Sequence, residues 1–517
     1  MPSLARPSPL LSLGAAVLSL VATAPAAAYV PIATANQVTN TKNGRNEMAA
    51  LDKKGQTMVF VSNSDHVAGV TTPATGAFDF DETGNDYAAG PGPNPACINC
   101  TAIDDNVGNL YLWRFKKKKD QPNNSIRQLT FSTSGGFDAN EHPDIDSKAG
   151  WVVWNSTEDH VGTNADGNSE IFMMDLDGNQ ITQITNTTNG GGNANRTASV
   201  SDKGRYVSFA SSRDFQGAGN CKRPDGLTNC FNPDENSEVM VYDREAGMLI
   251  QITDTTGDGN DAQTYPRISS DGNYVTFKST RSFGGPLTGG LACATLDNGV
   301  CTNDNNAEIM MFDREELQLT QITNTIDQAK CNDKTSSDRP EISKKGKFIV
   351  FQSECEDQLN ASGCGDCDGN DEVFFVELKK REISQVTISD GGYNRVPRIS
   401  SSGKYIVFDT NRDYLNLNAP RNEKLYIVKR SSTKVRPGIT GKMQLEDDST
   451  LTGSGIVQNP KSQATTIQFD GGFPGSERIG ISGNGRYVAF ESSKNVGNQE
   501  IWRVDRNKCT HGLPDCQ

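Results

Sequence analysis

Seven times along the chain a short alternating segment enters a glycine turn and leaves it as a strand of β-branched and aromatic residues. The copies are AALDKKGQTMVFVS from Ala49, PDIDSKAGWVVWNS from Pro143, ASVSDKGRYVSFAS from Ala198, PRISSDGNYVTFKS from Pro266, PEISKKGKFIVFQS from Pro340, PRISSSGKYIVFDT from Pro397 and IGISGNGRYVAFES from Ile479. Period-2 alternation bounded by turn residues predicts strands, and no long segment of helical period competes with it. Gly55, Gly204, Gly272, Gly346, Gly403 and Gly485 share one position, where a tight hairpin needs positive φ. In the second copy the glycine, Gly150, falls one residue later.

After a variable loop each copy is followed by a second hairpin, as in SEIFMMDLDGNQITQIT from Ser169 or AEIMMFDREELQLTQIT from Ala307. Four antiparallel strands per repeat, seven times over, predict an all-β seven-bladed β-propeller. Strands such as the one at 171–174 are apolar on both faces, as blades stacked between blades require. The seventh copy runs through EIWRVD (500–505) and lacks a last strand. The stretch from Ile32 matches the stretch from Ile181 position by position, so residues 32–39 are expected to supply that outer strand and close the ring. In the sixth copy the outer strand is expected at 434–440 or 465–470, within a long Gly-, Ser- and Asp-rich insertion over 431–475 on the face opposite the other elaborations.

The repeats resemble the TolB-type and related PD40 (WD40-like) propeller repeats of the extracellular bacterial type, PRISSDGNYVTFKS and NAEIMMFD most closely, over about residues 32–508. The resemblance implies the fold, and a role among envelope complexes, non-catalytic peptidase domains or lyases. TolB's own propeller resembles a six-bladed ring preceded by an α/β domain, and this chain departs from it on both counts.

Residues 1–28 read as a secretory signal: Arg6 is the only charge, 10–24 is apolar, and Ala26-Ala27-Ala28 offers a cleavage site before Tyr29. The expected product is a periplasmic or extracellular propeller over 29–508 with a tail at 509–517, monomeric and without a membrane span. Lys and Arg number 50 against 64 Asp and Glu, a net charge of −14 without blocks, which excludes a nucleic-acid surface. The twelve cysteines suit export and lie as near neighbours: 97/100, 221/230, 293/301, 364/367 and 509/516, with Cys331 and Cys355 left to pair. In the fifth blade 355/364 with 331/367 is the other pairing. A zinc site on the two C-x-x-C pairs lacks a nearby histidine.

No nucleophile elbow, zincin, P-loop or dinucleotide motif occurs, so no catalytic set is assigned. His66 and His160 occupy matching loop positions and read as structural. His142, just before Pro143, is the better site candidate. Lyases of the resembled class imply a metal held by clustered histidines, which His66, His142 and His160 on one face would supply; the alternative function is then a metal-dependent lyase or hydrolase acting on an acidic glycan. The loop Asp366, Asp368, Asn370, Glu372 alternates oxygen ligands around a glycine and is the candidate calcium site; no other cofactor is required. The loops between strands two and three, and between blades, lie on one face and hold ten of the cysteines. The mouth beneath them is expected to carry Glu47, Glu141, His142, Arg196, Tyr265, Asp338, Arg339, Arg395, Glu477 and Arg478. Of these, His142, Arg196, Tyr265, Arg339, Arg395 and Arg478 form the candidate ligand site for a protein or peptide carboxylate, or for an acidic glycan. Pairing of these charges across neighbouring blades is the bland counterpart.

Overall fold

The computed structural model describes residues 33–509 with breaks, chiefly at 65–96, 99–106, 117–124, 257–262, 284–292, 296–300, 302–306, 325–336, 355–369, 413–423, 431–444, 448–463 and 468–478. The signal segment, the C-terminal tail beyond Cys509, and His66, Asp366, Asp368, Glu477 and Arg478 lie outside the described residues.

Each repeat forms one sheet, and the seven sheets are the blades of a β-propeller. Blade two is representative: Asn140–Ile145 is innermost, then Trp151–Ser156, Glu170–Asp175 and Gln180–Gln183, all antiparallel neighbours. The innermost strands of the other blades are Asn46–Leu51, Asn195–Val200, Gln263–Ile268, Ser337–Ile342, Asn394–Ile399 and Gly480–Ile481. In the seventh sheet the strand Ala33–Gln37 pairs outside Glu500–Cys509, with Ala35 opposite Val504 and Gln37 opposite Trp502. That sheet therefore joins chain from both sides of the other six blades. In blade six the outer strand is Ala464–Ile467, the second of the two segments proposed by pattern.

The loops between strands two and three do more than enlarge one face. Cys97–Ile98, Cys221–Lys222 and Cys293–Thr295 each run out to the rim and add a fifth strand, parallel to the outer strand of their blade. Leu445–Asp447, from the blade-six insertion, pairs in the same parallel sense with Thr387–Ser389 of blade five. Short added strands cover edges that would otherwise offer unpaired N–H and C=O groups to another chain. Cys221 is bonded to Cys230, with Cα atoms 5.7 Å apart, which staples one such strand; Cys301 is also disulfide-bonded.

Apolar packing lies between blades, one cluster to each interface. Val59, Val61, Leu110 and Leu112 of blade one meet Val152, Trp154, Phe172 and Met174 of blade two. The same arrangement repeats around the ring, and Met58 and Phe60 of blade one pack with Ala489 and Ile501 of blade seven, so the ring has no open seam.

Two rims lock the blades together. On the turn face, the glycine of each hairpin sits on the aromatic ring that opens strand two of the preceding blade. Gly204 meets Trp151, Gly272 meets Tyr206, Gly346 meets Tyr274, Gly403 meets Phe348, Gly485 meets Tyr405, and Gly55 meets Tyr487 across the seventh interface. Blade two departs from this pattern. Its left-handed turn residue is Ala149 (φ 52°), not Gly150, and the residue that opens strand two in blade one is Thr57. Without a ring there, a methyl group fits. On the loop face, a buried glutamate that opens strand three clasps the next blade. Glu170 accepts from the Thr187 amide (2.6 Å) and hydroxyl (2.6 Å) and from Asn195 Nδ2 (3.2 Å), which begins blade three. Glu372 and Glu500 repeat the pattern with Ser389/Asn394 and Thr41/Asn46. In blade one Asn109 takes the glutamate's place.

Candidate functional site

Six of the seven innermost strands carry a β-bulge after their second residue, and the third residue is left-handed: Met48, His142, Thr197, Tyr265, Arg339 and Val396, with φ between 50° and 58°. A non-glycine residue pays about 1–2 kcal/mol for that conformation, and it persists only where the surroundings over-determine it. Proline follows four of them, at 143, 266, 340 and 397. A bulge leaves a residue out of the hydrogen-bond ladder, so a residue without an N–H is tolerated there. The bulges place these third residues in a ring at the loop-side mouth of the channel.

His142, Tyr265, Arg339 and Val396 line one cavity at that mouth, with Pro340, Pro397, Arg267 and Arg398. Four blades contribute to it. His142 Nδ1 stands 3.3 Å from Asn155 Oδ1 and 3.7 Å from Glu141, and the Arg339 guanidinium lies 5.6 Å from the centre of the Tyr265 ring. The Arg339 amide donates to Asp338, whose carboxylate also faces Lys278 at 3.7 Å. Of the expected ligand residues, Arg196 and Arg395 do not line this cavity. Arg395 lies instead over the Tyr393 ring at 3.5 Å. Nearby, burial pushes the Asp371 carboxyl up to about 6, helped by Glu354 and opposed by Arg395.

Two residues further along each innermost strand, a second layer faces the channel: Ala50, Asp144, Ser199, Arg267, Glu341, Arg398 and Gly480, one from each blade. Sequence reasoning missed it. The signal was present as the variable residue between proline and isoleucine in PDI, PRI, PEI and PRI, which alternation turns inward. Arg267 Nε is 3.4 Å from Glu341 Oε2, and Arg398 donates to the same oxygen. Burial, and then Arg398, hold the Arg267 guanidinium below its usual range. Below this layer is a cavity of about 140 Å³ that opens among the turns, with Lys53, Lys344, Ser147, Ser270 and Ser401 on its wall. Lys344 is ion-paired to Asp202.

His160 is turned into blade two. Its Nε2 lies 3.0 Å from the Ser156 hydroxyl and 2.9 Å from Asn140 Oδ1, its ring packs edge-on against Trp154 and Phe172, and burial depresses it to about 4. It is a neutral structural histidine and does not join His142. Among the described residues no three metal-ligating side chains come together. Asn370 and Glu372, two of the candidate calcium ligands, are drawn into the clasp on Ser389 and Asn394.

Neither a family model nor a curated protein matches the chain. Among solved structures it is similar to an oligogalacturonate lyase from Vibrio parahaemolyticus, at 12% identity over 92% of this chain and 95% of that one, with a TM-score of 0.47. It is also similar to TolB from Acinetobacter baumannii, at 13% identity over 83% and 89% with a TM-score of 0.36. A third likeness is to the β-propeller domain of the Trilobed protease from Pyrococcus furiosus, at 9% over 89% and 95% with a TM-score of 0.43. These likenesses concern the propeller architecture alone. No helix among the described residues is long and apolar enough to cross a membrane.

Proposed function

We propose that this protein is an exported binding propeller that recognises a protein or peptide on its loop face and seats a ligand carboxylate at the channel mouth. The observation that carries this reading is the convergence of Arg339, His142 and Tyr265, from three blades, on one cavity at the mouth, with Tyr265 as its aromatic wall. A rigid ring of bulged backbone holds these groups in place, so little entropy is lost on binding. Guanidinium groups suit a planar carboxylate because their N–H donors match it in pairs. The Cys221–Cys230 bond supports an oxidising compartment, periplasmic or extracellular.

The test is capture from envelope extract by the intact, oxidised protein, followed by affinity measurement on the captured partner. Arg339→Glu is expected to weaken binding at least about tenfold, as loss of a charge-assisted contact does. Lys203→Glu and Lys345→Glu, in the opposite-face turns, are expected to leave it unchanged. Sensitivity confined to the turn lysines would move the site to the other face.

A further inference from the structure

We infer a second binding site, distinct from the mouth: a small-oxyanion site at the centre of the channel, formed by Arg267 and Arg398 and reached from the turn face.

The inward layer holds all its charge on four blades. Arg267 and Arg398 are the cations, Asp144 and Glu341 the anions, while Ala50, Ser199 and Gly480 complete the ring with small side chains. Formal neutrality hides an imbalance in contacts. Both arginines approach the same oxygen, Glu341 Oε2, each through a single nitrogen. Asp144 is committed elsewhere: its oxygens accept from the backbone amides of Ile145 (2.9 Å) and Val200 (3.0 Å), and among the described residues it is in ion-pair range of neither arginine. One carboxylate oxygen thus serves two guanidinium groups that carry five N–H donors apiece.

Burial makes that shortfall matter. Arg267 is only 7% exposed, and among the described residues its side chain meets no acceptor other than Glu341. Arg398 Nε is buried with no hydrogen-bond partner. Buried donors left unmade are costly, the more so when charged, and the natural remedy is an acceptor brought from outside. The space for it is there. The small residues of the layer leave room across from the arginines, and the adjoining cavity of about 140 Å³ is an order of magnitude above the roughly 10–15 Å³ one water needs. Its wall adds the Ser147, Ser270 and Ser401 residues and the Lys53 ammonium, and, among the described residues, no carboxylate beyond Asp144 and Glu341. An anion entering there meets fixed donors on one side and hydroxyl-bearing residues on the other.

Two sources share this chemistry, a carboxylate and a free tetrahedral oxyanion, so acetate and sulfate are the probes. The full mature chain is titrated with each in an anion-poor buffer at constant ionic strength, followed by calorimetry and by melting temperature. Saturable binding is expected with at least one probe. The tighter one names the source. Arg267→Met and Arg398→Met are expected to weaken binding at least about tenfold, a loss of ~1.4 kcal/mol, while keeping the β-sheet circular dichroism of the parent. If the Met variants do not fold, Arg267→Lys replaces them. It keeps the charge, loses the fork, and is expected to show the same loss. Glu341→Gln removes the internal competitor and is expected to bind about tenfold tighter, a gain that a merely structural role for Glu341 does not produce. Arg339→Gln is expected to keep saturable oxyanion binding even where it abolishes partner capture, which separates this site from the mouth. Absence of saturation with both probes, an undiminished response in the arginine variants, or no tightening in Glu341→Gln would each overturn the assignment.

Discussion

Gly204 of blade three lies so close over the indole of Trp151 in blade two that a Cβ placed on it would stand 2.3 Å from the ring's Cγ. Arg244 covers the same indole, its guanidinium 4.4 Å from the ring centre. The glycine therefore answers two demands at once, a φ of 61° and an approach that no side chain permits. Gly204→Ala is expected to destabilise the protein by about 2–4 kcal/mol, since left-handed strain and overpacking add. Ala149→Gly, at the equivalent left-handed position of blade two, is expected to change stability by less than about 1 kcal/mol, because the left-handed strain it relieves offsets the chain freedom it adds. Urea unfolding of the two variants checks both.

Val38, Thr39 and Thr41 bind blade seven through buried groups: the Val38 amide donates to the Ile501 carbonyl at 2.7 Å, and Thr39 and Thr41 donate to Glu500. Removing residues through Thr41 strips the outer strand from that blade and leaves the buried Glu500 carboxylate without its Thr39 and Thr41 donors, with Asn46 remaining. The melting temperature is expected to fall sharply, by several kcal/mol in stability terms. A truncated protein that melts with the mature one would contradict this.

Glu238 opens strand three of blade three, fully enclosed, and burial pushes its carboxyl up to about 8 against the opposing donors Thr253 and Thr255. In the unfolded chain it ionises near pH 4.3. Folding therefore takes up a proton between those values. The stability this group contributes is full below about pH 4.5 and declines as pH rises toward 8. Glu238→Gln is expected to flatten that decline, read as stability by urea unfolding at steps from pH 5 to pH 8.

His160 has the opposite sign. Burial holds it neutral down to about pH 4 in the fold, whereas an unfolded histidine takes a proton near 6.5. Its contribution is present above pH 6.5 and lost as pH falls through 4. His160→Gln is expected to lose stability at pH 7 and to show a shallower acid limb. NMR titration of the His160 ring, unmoved from pH 7 to pH 5, is the direct check.

The Cys221–Cys230 bond holds the added rim strand against Leu249 and Ile250. Replacing both cysteines with serine is expected to cost about 2–3 kcal/mol, the range for a short closed loop. Amide exchange at Leu249 and Ile250 is expected to quicken while the inner strands of blade three stay protected.

The ring was legible in the sequence because a repeated fold writes the same alternation and the same turn glycine each time. Strand type, blade number and the location of the mouth follow from local pattern, and the left-handed glycine needs only its own backbone. The clasp glutamates were visible as a recurring Glu at the start of the third strand in five of the seven blades, yet their role was not, since it depends on a Thr or Ser about 17 residues later and an Asn in the next blade. His160 read as structural, and packing against Trp154 and Phe172 supplies the reason. The channel needed tertiary structure altogether. Which arginine lines the mouth, which stacks on tyrosine, and which two share Glu341 depends on how seven blades converge on one axis. Residues 57 and 131 positions apart, Arg398 from Glu341 and from Arg267, meet there only because closure of the ring brings blades four, five and six to a common centre.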